Sequence, residues 1–425
     1  MAAPGRVAAI GRAAAVAGLA ALAGCGDAAE AGGAPRASGA ASAGAGGHGS
    51  GGASGTSVEA ILGELREDRD AALRSHAART GWPVPVDDGY LFVSTSASLR
   101  LLAGDHDGWT GAEMTRDAGF HWIVLNVPAG ARYKLTDRAT WSADPWSRAI
   151  TYDAFGEMSL VAPSAAHLDR HFGVGDAAME PRTVRVWVPE GDVERVLYVH
   201  DGQNLFDPAG PAGGWHLQDH APPGVLLVGI DSTAARLSEY THVTDRIEDG
   251  GALIGGRGDA YADFVRDTVR PLIRARYGEP GPVGILGSSL GGLISFHAAD
   301  RHRGEYAFAA SLSGTMGWGS IGAGVRHETM IARYAAHAEP AAALYLDSGG
   351  GGDCVDDDGD GVEDDDPRAA DNYCENRQLR GVLAGARSPY VEGESVFYAW
   401  HPGAEHDEAA WAARVAEPLR IFEAL

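Results

Sequence analysis

The feature that most constrains this chain is the run GPVGILGSSLGGLISFHAA, residues 281–299. A short apolar β-type segment passes through Gly-x-Ser-x-Gly straight into an apolar helical pattern. Strand can turn into helix in so few residues only through a tight elbow. Ser289 stands at its apex, flanked by Gly287, Gly291 and the extra Gly292, which keep side chains from colliding there. The elbow lifts the serine hydroxyl out of the sheet. It also leaves the backbone N–H of Leu290 at a helix N-terminus, where negative charge is stabilised. A hydroxyl so placed needs a base, and in this arrangement the chain order is serine, acid, histidine. In FYAWHPGAEHDEAAWAARV a final strand ends near Trp400, and His406 lies on the loop before the last helical segment. His406 is the expected base; His401, nearer the strand end beside Pro402, is its competitor. His200, His216, His242 and His297 read as sheet-end, loop or helix residues. In VLYVHDGQNLFDP, Gly202 permits a turn after an early strand, and the N–H of Gln203 is the expected second donor to an oxyanion.

The surrounding pattern is α/β. From about Arg182, TVRVWVP, RVLYVHDG, GVLLVGID, GPVGILG, YAFAASLSG, ALYLDSG and VFYAWHPG alternate with helical stretches such as YADFVRDTVRPLIRARYG. Such alternation predicts a mostly parallel sheet covered by helices on both faces. Ahead of it, Val58–Ala78 has helical apolar spacing, and residues 88–163 read as short strands rich in aromatics.

The net charge of −24 argues against nucleic acid or an anionic membrane surface as a partner. Much of it is local, since nine acidic residues fall within Asp353–Asp366. At the other end, MAAPGRVAAIGRAAAVAGLAALAGC has two arginines, then an apolar run too short to span a bilayer. Its LAGC ending resembles a bacterial lipobox, which implies a signal peptide over 1–24, lipid on Cys25 and a place in the bacterial cell envelope. Residues 25–57, nearly all Ala, Gly and Ser, then read as a flexible tether. With Cys25 lipidated, Cys354 and Cys374 remain as a disulfide pair, suited to an oxidising compartment.

The segments LYVHDGQNLFD, VGID, RLSEYT, DAYADFVRDTVRPLIRARYG, GSSLGG, LYLDSG and HDEAAW together resemble the esterase family of enterochelin esterases, feruloyl esterases and S-formylglutathione hydrolase. The resemblance implies an α/β-hydrolase domain over 176–425. It also implies ester cleavage through an acyl-enzyme on Ser289, with His406 moving the proton and Leu290 and Gln203 N–H groups holding the oxyanion. Arg236, Glu239 and Tyr240 fall in a family segment expected to be architectural. No cofactor is implied for catalysis.

Residues 58–175, with LRLLAGDHDGWTGAEM and its sequel, resemble the small β-sandwich that precedes the catalytic domain in enterochelin esterases, related to glycogen-binding modules. Trp109, Trp122, Tyr133, Trp141 and Trp146 are either a sugar-stacking surface or core and interface residues.

The family places its acid soon after the strand ALYLDSG and before the next helix; here the acidic stretch 353–374 is inserted. Asp371 is the expected acid, Asp353 the alternative, and Asp347 at the strand end is structural. Within the insertion, Asp356, Asp358 and Asp360 alternate before Gly361, as in thrombospondin type 3 and EF-hand-like calcium loops, with Val362 and Asp364 as further ligands. The twelfth position holds Pro367, so a last ligand is expected from Asp365 or Asp366. The expected function is a lipid-anchored serine esterase acting on a siderophore-type, small-molecule or glycan (feruloyl or acetyl) ester. The contrasting one is a non-catalytic surface-binding lipoprotein on a hydrolase scaffold.

Overall fold

The structure, a computed structural model, describes residues 57–425 except 211–212, 248–249 and 367–369. The signal segment, Cys25 and nearly all of the tether, and Pro367, lie outside the described residues. Among those described, no helix is long and apolar enough to cross a membrane.

Six parallel strands form the centre, in spatial order Val396–Trp400, Ala343–Ser348, Phe308–Leu312, Val283–Ser288, Arg195–His200 and Val225–Ile230. Their near-continuous apolar sequences suit strands covered on both faces. Side-chain alternation divides them between two cores. Val196, Tyr198, Ile285 and Leu344 face the helices that include Leu290–Arg301 and Tyr373–Leu383. Leu197, Val199, Leu286 and Tyr345 face Trp411, Val415, Leu419 and Phe422 of the C-terminal helices.

The sheet does not stop at the expected boundary. Strand Arg182–Val188 joins the parallel set antiparallel, and His167–Val174 pairs with it in turn. The hydrogen-bonded order then runs on through Ala149–Asp153, Gly156–Leu160, Arg132–Thr136 and Leu101–Gly104. A division at 175/176 therefore falls in the turn between two paired strands, and the N-terminal unit shares its sheet with the C-terminal one. A separate four-stranded sheet, containing Gly89–Ser94 and Phe120–Leu125, packs Phe92 against Leu102, Tyr133 and Leu135 of the large sheet. Its opposite face, with Leu91, Val93 and Phe120, packs on Ile61, Leu62, Leu65 and Leu73.

Those last residues come from two helices, Val58–Glu67 and Arg69–Arg79, where the sequence pattern suggested one. Asp68 breaks the run: its backbone is extended, and its side chain accepts the N–H of Ala71 at 3.0 Å, capping the second helix.

Of the aromatic residues singled out, Tyr133 is buried in the sheet–sheet core, while Trp122 and Trp146 pack against the helix-facing core. Trp109 and Trp141 are different. Their rings lie 6.1 Å apart and line a cavity of about 580 Å³ with Arg132, Lys134, Asp153 and Phe155.

Candidate active site

The strand Val283–Ser288 ends in the predicted elbow. Ser289 has φ 57° and ψ −123°, a backbone strain of roughly 1–3 kcal/mol for a residue with a Cβ. Its neighbours must be glycine. A Cβ on Gly287 would lie 2.6 Å from the carbonyl carbon of Gly291, and one on Gly292 would lie 2.2 Å from Ser311 Oγ. The Ser289 N–H is tied to Leu312 O at 2.9 Å, and Leu290 opens the following helix.

His406 reaches this serine from the loop before the helix Glu408–Arg414. Its Nε2 is 3.0 Å from Ser289 Oγ and its Nδ1 is 2.7 Å from Asp371 Oδ1. Trp411 meets the imidazole edge to face at 5.0 Å. With Asp371 accepting at Nδ1, the tautomer that leaves Nε2 free to accept the serine proton is favoured.

Asp371 is wholly buried and held on its second oxygen as well. Ser313 Oγ donates to Asp371 Oδ2 at 2.7 Å, Arg414 Nη2 donates at 3.3 Å, and the Gly349 N–H donates there too. Arg414 also contacts Ser313 Oγ and lies 3.2 Å from Asp347, so one guanidinium is shared by two buried carboxylates. Burial raises the Asp347 carboxyl to about 7, with Arg414 opposing. Asp347 accepts from Tyr345 and Ser313, as a structural residue at the strand end would. Asp353 is exposed, and His401 lies 3.8 Å from Glu417; neither joins the chain from Ser289.

The turn expected to supply the second oxyanion donor is a short 3-10 segment, Gly202–Asn204, entered through Asp201 at φ 59°. A two-pronged bond from Arg236, at 2.8 and 2.9 Å, fixes the Asp201 carboxylate. The Gln203 side chain exchanges two hydrogen bonds with Ser232, which fixes that side chain. Glu239 binds Arg182 in a fully buried pair, and the Tyr240 hydroxyl accepts the Asp201 N–H at 3.3 Å. Arg236 and Tyr240 support the turn, and Glu239 ties the same segment to the strand Arg182–Val188.

In the acidic insertion, Cys354 and Cys374 are disulfide-bonded, with Cα atoms 5.4 Å apart. Carboxylate oxygens of Asp356, Asp358 and Asp364 gather within 4.8 Å of one another. Asp360 is not in that group; one of its oxygens accepts the Val362 N–H at 2.7 Å. Asp365 turns inward instead of toward the cluster, accepting the N–H groups of Tyr373 and Cys374 at 3.1 and 2.6 Å. It caps the helix that follows Asp371, and burial raises its carboxyl to about 6.

Sequence reasoning did not find Ser313, Glu408, Trp411 or Arg414. The last three carried a signal: they recur every third residue on one short helix, so one polar face turns inward.

A six-stranded parallel sheet with helices on both sides and a serine on a strained strand–helix elbow defines an α/β-hydrolase-like fold. Residues 177–421, more than half of the chain, match the model of the family described as "Putative esterase", and the protein belongs to that family. It is 32% identical over 127 residues to the "Uncharacterized protein YbbA" of Bacillus subtilis, a match covering 28% of this chain and 49% of that protein. The chain thus spans about half the length of that relative. Among solved structures it is similar to an IroE-like serine hydrolase from Shewanella oneidensis, at 16% identity and a TM-score of 0.44, over 61% of this chain and 80% of that one. It is also similar to the enterobactin esterase FES from Shigella flexneri, at 16% identity and a TM-score of 0.43, over 78% and 91%.

Proposed function

We propose that this protein is a serine esterase that cleaves a carboxylic ester through an acyl-enzyme. The observation that carries the reading is the unbroken chain Ser289 Oγ, His406, Asp371, at 3.0 and 2.7 Å on a strained elbow. His406 Nε2 takes the serine proton as Oγ attacks the ester carbonyl carbon. The Leu290 and Gln203 N–H groups receive the oxyanion, and His406 then protonates the departing alcohol. Water, deprotonated by the same nitrogen, attacks the acyl carbon and returns the serine. Asp371 holds the tautomer and the positive charge on the imidazole; Arg414 and Ser313 hold Asp371. Ser289→Ala should abolish hydrolysis of p-nitrophenyl acetate. Unchanged turnover would remove the triad assignment.

Our reading of the substrate class is supported by the cavity at Trp109 and Trp141, which lies in the N-terminal unit. Two tilted indoles, an 80% exposed Phe155 and an Arg132–Asp153 rim offer ring faces and hydrogen-bonding groups together, which suits a sugar. A carbohydrate-linked feruloyl or acetyl ester is therefore favoured over a siderophore-type ester, and a hydrolysis screen over the three classes decides between them.

Two further elements complete the proposal. The Asp356, Asp358 and Asp364 oxygens suit a calcium ion, a hard cation that needs several oxygens around one point. Such an ion would be structural. Cys25 carries a lipid that holds the enzyme in the bacterial envelope; Cys25→Ser would release it from the membrane fraction, and retention of that variant would contradict the anchor.

A further inference from the structure

Glu408 is a buried carboxylate that the mechanism above does not use. It lies two residues past His406, in the first turn of the helix Glu408–Arg414, and is 4% exposed. One of its oxygens accepts from Asn204 Nδ2 at 2.9 Å, and the other accepts from the indole N–H of Trp215. Asn204 closes the turn that carries the Gln203 N–H, and its own carbonyl accepts the Trp215 N–H at 2.9 Å. One carboxylate thus joins two segments about 200 residues apart in sequence: the histidine loop and the oxyanion turn. The charged groups facing it are Asp201, at the end of the strand Arg195–His200, and Arg236, paired to Asp201.

Building on the esterase reading, we propose that Glu408 is a positioning residue, whose ionised form holds the oxyanion turn in register with His406. Both of its contacts come from N–H donors, so a proton on either oxygen weakens the acceptor that one donor uses and sets an O–H against an N–H. Burial and the charge of Asp201 raise this carboxyl to about 7, with Trp215, Arg236 and Asn204 opposing.

Two ionisations, on His406 and Glu408, then govern the acid limb of kcat/KM. For the full-length protein with p-nitrophenyl acetate, log kcat/KM should fall more steeply than a slope of one over the range in which Glu408 takes up its proton, since that proton adds to the loss of the base. Glu408→Gln should reduce the slope to one and lower kcat/KM at pH 8 by roughly 10- to 100-fold, the scale of a misplaced catalytic group. Trp215→Phe keeps the carboxylate and removes one donor to it, so it should move the Glu408 ionisation to higher pH, and it serves if Glu408→Gln does not fold. A wild-type slope of one, or a Trp215→Phe profile that superimposes on wild type, overturns the proposal while Ser289-dependent turnover stands. Absence of Ser289-dependent turnover in the wild type instead overturns the esterase reading, and this one with it.

Discussion

At the residue scale, Ser289 and His406 are legible in sequence because each sits in a local pattern that only one geometry satisfies. The glycines at 287, 291 and 292 make sense only if backbone and side chains press on the elbow, and they do. Asp371 was legible only through the family's spacing. Nothing local distinguishes it from the other aspartates of the insertion, and its selection comes from partners far away: Ser313, Arg414 and Gly349. Those partners were invisible in sequence for the same reason. Asp371→Asn should therefore lower kcat by about 10³–10⁴-fold, by removing the acceptor that fixes the histidine tautomer. Asp353→Asn, on an exposed side chain away from His406, should leave kcat within about twofold on this reading. Equal, mild effects from both substitutions in a steady-state assay would show that neither is the acid.

At the element scale, the acidic insertion is tied to the helix Tyr373–Leu383 by several groups at once. The disulfide ends on Cys374, Asp365 caps the first turn, and Gln378 holds Gly361 O and the Glu363 N–H at 2.8 and 3.0 Å. Chelation should lower the thermal midpoint if calcium occupies the Asp356, Asp358 and Asp364 oxygens; a scan in excess chelator that superimposes on one in calcium would remove the ion from the account. Cys354→Ser with Cys374→Ser opens a loop of 20 residues, which by the chain-entropy estimate destabilises by about 3 kcal/mol in a denaturant titration. The motif's alternating aspartates were readable, but the diversion of Asp365 to a helix N-terminus was not, because capping depends on where the chain returns. The split of the first helix at Asp68 has the same character. Residues that hydrogen-bond backbone locally end elements inside a pattern that periodicity alone would extend.

At the scale of the whole molecule, the α/β alternation predicted the parallel sheet, but not that the sheet continues through strand pairing into residues 58–175. Strand pairing across residues 167–188 is a matter of register between neighbours, which hydrophobic pattern alone does not encode. The buried ionisable groups are also distributed through the whole molecule, and their signs oppose. Burial lowers His171, His200 and His242 to about 3 and His297 to about 4, so between pH 6.5 and 4 the unfolded chain binds protons there that the folded one does not. Burial raises Asp144 and Asp365 to about 6 and Asp347 and Glu408 to about 7, so over the same range the folded chain binds the extra protons. The two sets oppose each other. The thermal midpoint should change little from pH 7 to 5. It should fall below about 4, where carboxylates that ion pairs and hydrogen bonds hold below their ordinary range in the folded chain, Asp300 at about 2 among them, are protonated first in the unfolded chain. A steady decline from pH 7 downward would mean that the carboxyls do not hold their protons. The central claim is that this whole framework exists to present one activated hydroxyl. Labelling with a fluorophosphonate, followed by peptide mass spectrometry, tests it most directly. The account predicts one adduct per chain, on the peptide containing Ser289, formed at a rate that collapses in His406→Ala and absent in Ser289→Ala. An adduct on another residue, or full ester turnover by Ser289→Ala, would contradict it.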